Sequence, residues 1–267
     1  MSTAPESPAA LPVGALLRSW RERRRLSQLD LSIIADVSTR HLSYVETGRS
    51  RPTAEMILRL AEHLDVPLPG RNALLHAGGF APAYSSFPAD SAALDAVMTG
   101  LRDLLDAHLP YPALLLDDGW DVIDSNEAVN LLLDGCAPEL LEPPVNALRL
   151  SLHPGGLAPR IRNLESWGSS LLHQVRQRAE REANARLATL AEELSAYVPS
   201  PERRPAVESP VLALELDGGL DQQALRFVSI AARLETPADT TLSGLVLETF
   251  LPADAHTREA MGASAPG

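Results

Sequence analysis

The chain has 267 residues, of which 45% are hydrophobic and 22% charged. This composition excludes a wholly disordered or fibrous chain, and the length allows one large domain or two modest ones. No run of about 18 apolar residues is present, so no membrane span is expected. Met1–Pro12 lacks the basic start and apolar core of a secretory signal, and the single cysteine fits a reducing cytoplasm.

Charge is distributed unevenly along the chain. Residues 1–80 hold 10 basic and 8 acidic side chains, a net charge of +2, whereas residues 81–267 hold 13 basic and 27 acidic ones, a net charge of −14. The total of −12 argues against nucleic-acid binding, but the acidity belongs to the second part alone. The asymmetry therefore indicates two parts with different partners.

Five short helices are predicted in the first part, because apolar residues recur there at helical spacing. The positions expected in their core are Leu17, Trp20, Leu31, Ile34, Leu42, Val45, Met56, Ile57, Leu60 and Leu64. Ser27 and Asp30 form a capping-box pattern for the second helix, and Ser38 is expected to cap the third.

The fourth and fifth helices are separated by prolines. Pro67 and Pro69 are expected to end the fourth helix, and Asn72–Ala77 is expected to form the fifth, closed by Gly78 and Gly79.

The second part alternates helices and strands after a linker rich in Ala, Pro and Ser, assigned to residues 81–93. The predicted elements are helices at 92–108 and 126–133, a mostly helical segment at 164–197, and strands at 113–116, 120–124, 211–216, 225–234 and 242–250. Asp117-Asp118-Gly119 and Asp217-Gly218-Gly219 are hairpin patterns. Residues 176–186 are predicted to form a solvated helix face. An α/β domain at 94–260 and a disordered tail at 261–267 are therefore expected.

The second and third helices form a candidate DNA reader. The third helix directs four polar side chains away from its apolar face, namely Thr39, Arg40, Ser43 and Tyr44. Arg40 can bond guanine through two hydrogen bonds, and Thr39 can bond a base edge or contact a thymine methyl. The alternative is an ordinary helical hairpin with a solvated face.

This region resembles the Xre/Cro-type helix-turn-helix of phage repressors and bacterial regulators. The resemblance is carried by LSQ in the second helix, VSTRHLSYVETGRSRP across the third and ILRLAEHL in the fourth. It implies an all-α, five-helix domain at residues 1–80 that binds double-stranded operator DNA. The candidate DNA-binding residues are Gln28, Ser38, Thr39, Arg40, His41, Ser43, Tyr44, Arg49 and Arg51. Of these, Ser38 is also the expected cap of the third helix.

The same resemblance implies a structural pair between Arg21 and Glu46. Two residues depart from the family pattern: Ser32 stands where a small alanine is usual, and Asp36 where glycine or alanine is common at the turn.

Nearly the whole chain, about residues 14–255, resembles the MmyB-like transcription regulators. The likeness is carried by LHAGGFAPAY, PYPALLLDDGWDVIDSNEAVNLLL, APELLEPPVNALRLSLHPGGLAPRIRNLESW and LVLETFLPAD. The second of these also resembles the opening of a PAS-like sensor, with two short strands, an asparagine and then a helix. The resemblance implies a PAS-like ligand-binding domain with a small effector, of which a fatty acid is one kind.

Candidate ligand contacts come from two groups of residues. The large aromatic residues Trp120, Trp167, Phe227 and Phe250 either line a pocket or pack in the core. The turn-rich segment 152–163 contains His153, Arg160 and Arg162. Either one of these arginines binds a ligand carboxylate, or the segment is a loop held by its own hydrogen bonds.

Enzymatic functions find little support in the sequence. The motifs GxSxG, HExxH, CxxC and a GxGxxG after a strand are absent. No catalytic residue, metal or cofactor is therefore predicted, although a haem held by His108 or His173 stays open as an alternative.

Together with these resemblances, the sequence predicts a cytoplasmic regulator that binds operator DNA and dimerises, and the resemblance to the MmyB-like regulators implies an apolar, fatty-acid-like effector. Dimerisation is expected because one reader spans few base pairs and paired half-sites increase affinity and specificity. In one alternative, the C-terminal domain only dimerises or binds a protein partner. In another, it is an enzyme with a DNA-binding head.

Overall fold

The computed structural model describes residues 11–86, 91–199, 211–218, 223–234 and 239–263. It divides into two compact units. The described residues up to Ser86 and the short segment 239–243 belong to the first unit, and the other described residues belong to the second. Gly219, at the end of the second predicted hairpin pattern, lies outside the described residues.

The first unit contains five helices, in agreement with the prediction. They are α1 (Val13–Arg23), α2 (Gln28–Ile34), α3 (Thr39–Glu46), α4 (Ala54–His63) and α5 (Leu68–Ala77). Ser27 and Ser38 cap α2 and α3 as predicted, since each side chain accepts a hydrogen bond from the main-chain N–H three residues on. The Asp30 carboxylate accepts the Ser27 N–H in return, which completes the capping box.

Helix α5 begins four residues earlier than the predicted Asn72. Pro69 does not end the preceding helix but lies in the first turn of α5. A proline is tolerated there because the N–H groups of the first turn have no partner within the helix. Helix α4 instead ends at His63, shortly before Asp65 with a φ of 50°.

The core of the first unit contains the predicted apolar positions except Ile34, which is 46% exposed. Helix α2 buries Leu31 and Ser32 within its own bounds, and Ala35 is buried just after it. Ile34 lies to one side of that face in a helix of 3.6 residues per turn. The prediction that Ile34 is buried was therefore wrong.

A buried ion pair joins α1 to α3, as the resemblance implied. Arg21 Nε donates to Glu46 Oε1 at 2.7 Å and Arg21 Nη2 donates to Glu46 Oε2 at 2.9 Å. Hydrogen bonding to Glu46 raises the pKa of the Arg21 guanidinium. The two helices also approach closely at Gly14, where a Cβ atom would lie 2.0 Å from the Val45 carbonyl oxygen.

Two residues of the predicted linker, Ala83 and Tyr84, bond to α5. The Asn72 side chain accepts the main-chain N–H groups of Ala83 and Tyr84 and donates to the Tyr84 carbonyl. The Ser85 carbonyl accepts the N–H of Thr240 at 3.0 Å. Residues 87–90, in the middle of the predicted linker, lie outside the described residues.

The second unit combines helices with one antiparallel sheet, in agreement with the predicted α/β class. Its helices are α6 (Ala92–Asp106), α7 (Asn130–Leu133), α8 (Ala147–Leu152), α9 (Leu164–Glu182), α10 (Ala185–Ser195) and α11 (Ala255–Ala263). Its strands are β1 (Ala113–Leu116), β2 (Val122–Ser125), β3 (Leu214–Leu216), β4 (Leu225–Arg233) and β5 (Val246–Pro252). The sheet order is β2-β1-β5-β4-β3.

The two strands, the asparagine and the helix predicted at 113–133 are present, and the asparagine, Asn126, has a structural role. Strands β1 and β2 form the predicted hairpin, and a turn of 3-10 helix followed by α7 comes after Asn126. The buried Asn126 amide donates to the carbonyls of Leu105 and Tyr111, and its oxygen accepts the Ala113 N–H. Asn126 therefore fixes the end of α6 against β1.

The helical segment predicted at 164–197 is divided into two helices. Ala183, with a φ of 56°, ends α9, and the Asn184 side chain caps α10. The prediction of a solvated face at 176–186 was wrong for Arg178, whose side chain is 7% exposed. Helix α11 was not predicted; it passes residue 261, where the predicted tail begins, and residues 264–267 lie outside the described residues.

We expect Glu46→Ala to destabilise the first unit by about 3–5 kcal/mol, because it leaves the Arg21 guanidinium buried without its carboxylate. Hydrogen–deuterium exchange of the full chain, read on peptides from α1 to α3, measures the loss. Glu62→Ala is the control, because Glu62 is an exposed carboxyl on α4 that does not contact Arg21, and exposed carboxyls contribute little to stability. Equal protection in both variants would contradict this role of Glu46.

Candidate DNA-binding surface and ligand cavity

Helix α3 presents a polar surface opposite its buried side, which contains Leu42, Val45 and Glu46. Arg40 is exposed, and its Nε donates to the Tyr44 hydroxyl at 3.1 Å, one helical turn away. The Arg40 Cζ atom lies 5.4 Å from the centre of the Tyr44 ring. This stacking holds the guanidinium at the helix surface, where a guanidinium can bond a base edge through two hydrogen bonds. His41 and Ser43 are half-buried beside it.

Three of the predicted DNA contacts form hydrogen bonds inside the unit. Gln28 Nε2 donates to Glu46 Oε2 at 2.8 Å, Ser38 caps α3, and the Thr39 hydroxyl lies 2.8 Å from the Ser32 hydroxyl. Ser32, which stands where the family usually has alanine, thus fixes the orientation of the Thr39 side chain. These three side chains position α3 in addition to any contact with DNA.

The loop after α3 carries two exposed arginines, Arg49 and Arg51. Gly48 turns the chain with a φ of 74°, a conformation that glycine adopts without steric cost. The main-chain N–H groups of Arg49 and Ser50 both donate to the Tyr44 carbonyl. Within the described ranges, Arg40, Arg49 and Arg51 form no ion pair with an acidic side chain, so all three charges are available to an anionic partner.

The second unit encloses a cavity of about 700 Å³ between one face of the sheet and helices α7 to α9. This volume lies within the range of about 300–1,000 Å³ that is common for small-molecule sites. All five strands supply residues to the sheet wall. A second, apolar wall contains Leu132, Leu148, Leu150 and Leu157.

One stripe of α9 forms the opposite wall and changes from apolar to cationic along its length. The stripe consists of Trp167, Ser170, Leu171, Gln174, Gln177, Arg178 and Arg181. At 1.5 Å per residue it extends over about 21 Å. The cavity is therefore apolar at the Trp167 end and positively charged at the Arg181 end.

A cluster of three arginines, Arg178, Arg181 and Arg233, lies at the polar end of the cavity. Arg178 Nε donates to both carboxylate oxygens of Glu182, at 3.0 and 3.1 Å, and its Cζ lies 4.7 Å from the centre of the Trp120 ring. Desolvation, and then the charge of Arg178, lower the pKa of the Arg233 guanidinium; the carboxylates of Glu182 and Asp118 act in the opposite direction without cancelling this effect. An anion is expected to be stabilised at this end of the cavity.

A carboxyl group lies in the sheet wall. Glu248 is on β5 between Val246 and Phe250, and all three side chains line the cavity. Burial raises the pKa of the Glu248 carboxyl, and a hydrogen bond from the Ser229 side chain acts in the opposite direction. Such a group is costly to keep charged unless a bound molecule or a proton satisfies it.

Three of the predicted ligand contacts, Trp120, Trp167 and Phe250, line the cavity. Trp120 has a φ of 62°, a rare conformation for a bulky residue and one that clusters at functional sites. Phe227 is fully buried and packs edge-on against Phe250, with ring centres 6.4 Å apart. It supports the cavity wall from the core.

The structure places His153, Arg160 and Arg162 outside the cavity lining. His153 Nδ1 accepts the Gly155 N–H, and Arg160 donates to the carbonyls of Leu131 and Asp134. Arg162 pairs with Asp217. These bonds favour the alternative of a loop held by its own hydrogen bonds.

Sequence reasoning missed Glu248 and the arginine cluster. The sequence did contain an indication for Glu248. It lies two residues from both Val246 and Phe250 on an apolar strand, so its carboxyl shares their face of the sheet. Arg178 follows Trp167, Leu171 and Gln174 at helical spacing, but the many charges around it indicated a solvated face.

No cluster of His, Cys, Asp and Glu suited to a metal ion is found among the described residues. Over the same residues, none of the helices has both the length and the apolar character that a membrane crossing requires.

The fold and the two candidate sites define a class of protein: a helix-turn-helix unit joined to a ligand-binding α/β unit. Comparison with known families agrees. Residues 97–263 match the MmyB-like transcription regulator ligand binding domain, and residues 12–74 match a helix-turn-helix domain. The chain belongs to the MmyB-like transcription regulators.

Curated relatives match the chain in one short region only. Three proteins of Methanococcus maripaludis, from strains C5, C7 and C6, each bear the name "Putative HTH-type transcriptional regulatory protein" and are 38% identical over 55 residues. The match covers 21% of this chain and 17% of each relative.

We expect Glu248→Leu to stabilise the second unit by about 1–3 kcal/mol at neutral pH, because it removes a desolvated carboxyl from an apolar wall. The raised pKa of Glu248 means that the folded state keeps a proton that the unfolded chain releases. The contribution of this group to the stability of the native protein is therefore lost as the pH rises from the unfolded-state pKa through the raised folded-state pKa. The stabilisation by Glu248→Leu should accordingly shrink in acid, where both states are protonated.

Thermal unfolding of both proteins at neutral and acidic pH tests this. Glu259→Leu, which removes an exposed carboxyl on α11, is the control and should show no such pH-dependent gain. A Glu248→Leu variant that is less stable than the native protein at neutral pH would show that the carboxyl is satisfied within the fold.

Proposed function

We propose that this protein is a cytoplasmic transcription regulator that binds operator DNA through α3 and senses a small ligand in the cavity of its second unit. The observation that carries the proposal is the pairing of a cationic α3 surface with a cavity that is apolar at one end and cationic at the other. Family membership supports both halves. The absence of acidic partners for Arg40, Arg49 and Arg51 within the described ranges supports contact with phosphates and bases.

The ligand that fits the cavity is an elongated molecule with an apolar chain and an anionic end, such as a fatty acid. The chain would lie along the apolar part of α9, near Trp167 and Phe250. The carboxylate would lie at the arginine cluster, where charge-assisted hydrogen bonds are strong. We thus assign the anion-binding role to Arg178, Arg181 and Arg233 in place of Arg160 and Arg162.

A route from the cavity to the reader is offered by the connection between β4 and β5. Both strands line the cavity, and their connection includes residues 239–243, which belong to the first unit. Asp239 is buried and accepts the N–H groups of Thr241 and Leu242, which holds the segment in shape. A ligand that favours one arrangement of these strands would shift the population of reader conformations.

We further propose that the regulator acts as a homodimer and that its second unit is PAS-like. Dimers bind two half-sites about one helical turn apart, which increases specificity. The strands, asparagine and helix at 113–133 support the PAS-like assignment.

A second candidate function is a C-terminal unit that binds only a protein partner or a second copy. A solid core would favour it. The cavity of about 700 Å³ lined by Trp120 and Phe250 favours the ligand sensor instead.

Arg40→Ala should weaken binding to the preferred DNA site by about 1–3 kcal/mol and weaken binding to random duplex less, because Arg40 is proposed to contact a base edge. The preferred site is first selected from a random DNA library. Fluorescence anisotropy at one salt concentration then compares both duplexes. Arg258→Ala, at an exposed arginine of α11, controls for the change in net charge. An equal loss on both duplexes would show that Arg40 contacts phosphate alone.

Hexadecanoic acid added to lipid-stripped protein should raise the free energy of unfolding by about 2.7 kcal/mol at a hundredfold excess over its Kd, and should change affinity for the selected DNA site. Arg233→Gln should weaken acid binding about tenfold, through loss of a charge-assisted hydrogen bond, whereas Arg258→Gln should not. Thermal unfolding and anisotropy measure these effects. Stabilisation without a change in DNA affinity would mean that the cavity binds a ligand but is not a switch.

A further inference from the structure

Glu248 is the feature of the cavity that a simple fatty acid does not explain. It lies on β5, the central strand of the sheet, with Leu114 of β1 on one side and Ala231 of β4 on the other. Its inward neighbours along the strand, Val246 and Phe250, are both apolar. The nearest inward positions of the sheet around the carboxyl group are therefore apolar, and the polar lining residues Ser170, Gln174 and Gln177 lie on α9, in the opposite wall.

The register of the sheet fixes the distance of Glu248 from the anion-binding end. On β4, Arg233 pairs with Val246, Ala231 with Glu248, and Ser229 with Phe250. Successive inward residues of a strand are about 7 Å apart. Glu248 thus lies one such step from Arg233, towards the apolar end of the cavity and not at its cationic end.

Few partners inside the protein satisfy this carboxyl. The Ser229 side chain forms a hydrogen bond with it, and across the described ranges no arginine or histidine forms an ion pair with it. A carboxyl group offers about four acceptor positions when ionised, and one donor in addition to acceptors when protonated. An occupant that brings only methylene groups would leave most of these positions without a partner, which is costly in an apolar cavity.

The charges of the cavity restrict which polar group of the ligand meets Glu248. A second carboxylate would be repelled by an ionised Glu248, and a cationic group would be repelled by Arg178, Arg181 and Arg233, which line the same cavity. A hydroxyl group avoids both penalties. It can donate to the carboxylate and can accept from the protonated acid, so it fits Glu248 in either protonation state.

We propose that the occupant is a hydroxylated long-chain carboxylic acid whose chain hydroxyl is bound by Glu248. This inference rests on the proposed function in one respect only, namely that the cavity binds an acyl chain with its carboxylate at the arginine cluster. Ser229 orients the carboxyl from the neighbouring strand. Glu248 thereby selects a hydroxylated acid over the unsubstituted acid of the same length.

The test compares hexadecanoic acid with three of its monohydroxylated forms, in which the hydroxyl is on the beta carbon, in the middle of the chain or on the terminal carbon. Isothermal titration of the lipid-stripped full chain gives Kd for each acid. We expect at least one hydroxylated acid to bind about tenfold more tightly than hexadecanoic acid, as expected for one hydrogen bond to a carboxyl group.

Two variants at the same position separate hydrogen bonding from shape. Glu248→Leu should abolish the preference and bind hexadecanoic acid as tightly as the native protein or more tightly. Glu248→Gln keeps a donor and an acceptor and should retain a preference for the same hydroxylated acid. Glu259→Leu is the control outside the cavity and should leave the preference unchanged.

Equal or tighter binding of hexadecanoic acid relative to every hydroxylated form would overturn the inference while leaving the proposed function intact. So would a preference that persists in Glu248→Leu. If none of the four acids binds the native protein, both the proposed acyl ligand and the proposed role of Glu248 are wrong.

Discussion

The reader unit depends on the buried ion pair between Arg21 and Glu46. The pair connects α1 to the end of α3, and Glu46 also accepts a hydrogen bond from Gln28 at the start of α2. One carboxylate thus ties three helices together. Because removing one partner of a buried pair leaves an uncompensated charge, these helices have little freedom to rotate independently. The orientation of Arg40 and Tyr44 on α3 follows from this constraint.

The second unit combines a packed core with a large cavity. Most of its apolar side chains form one packed core, but the sheet and α9 leave a large cavity beside it. Protein interiors are otherwise close-packed, and an empty cavity forfeits dispersion contacts and hydrophobic stabilisation. Polar groups in its wall add a further cost when they have no partner. A bound molecule that fills the space and satisfies the arginine cluster and Glu248 recovers both.

The chain itself connects the wall of the cavity to a segment of the first unit. Strands β4 and β5 carry Arg233, Glu248 and Phe250 into the cavity wall, and the residues that connect these strands include a segment of the reader unit. A ligand changes an equilibrium only by as much as its affinity differs between the two states. The groups in β4 and β5 are therefore the ones through which ligand chemistry would be converted into a change in DNA affinity.

The sequence by itself determined the helices of the reader, the Ser27 and Ser38 caps and the strands of the sheet, and the family resemblance implied the Arg21–Glu46 pair. These features depend on short-range patterns of apolar residues, on capping chemistry and on a long motif. Only the tertiary structure decided that Ile34 is exposed, that Arg160 is bound to main-chain carbonyls, and that Glu248 and Arg178 face a common cavity. Which side of an element is buried depends on the partners that it packs against. Residues far apart in sequence, such as Trp120, Arg178 and Glu248, meet only when the sheet and α9 are assembled.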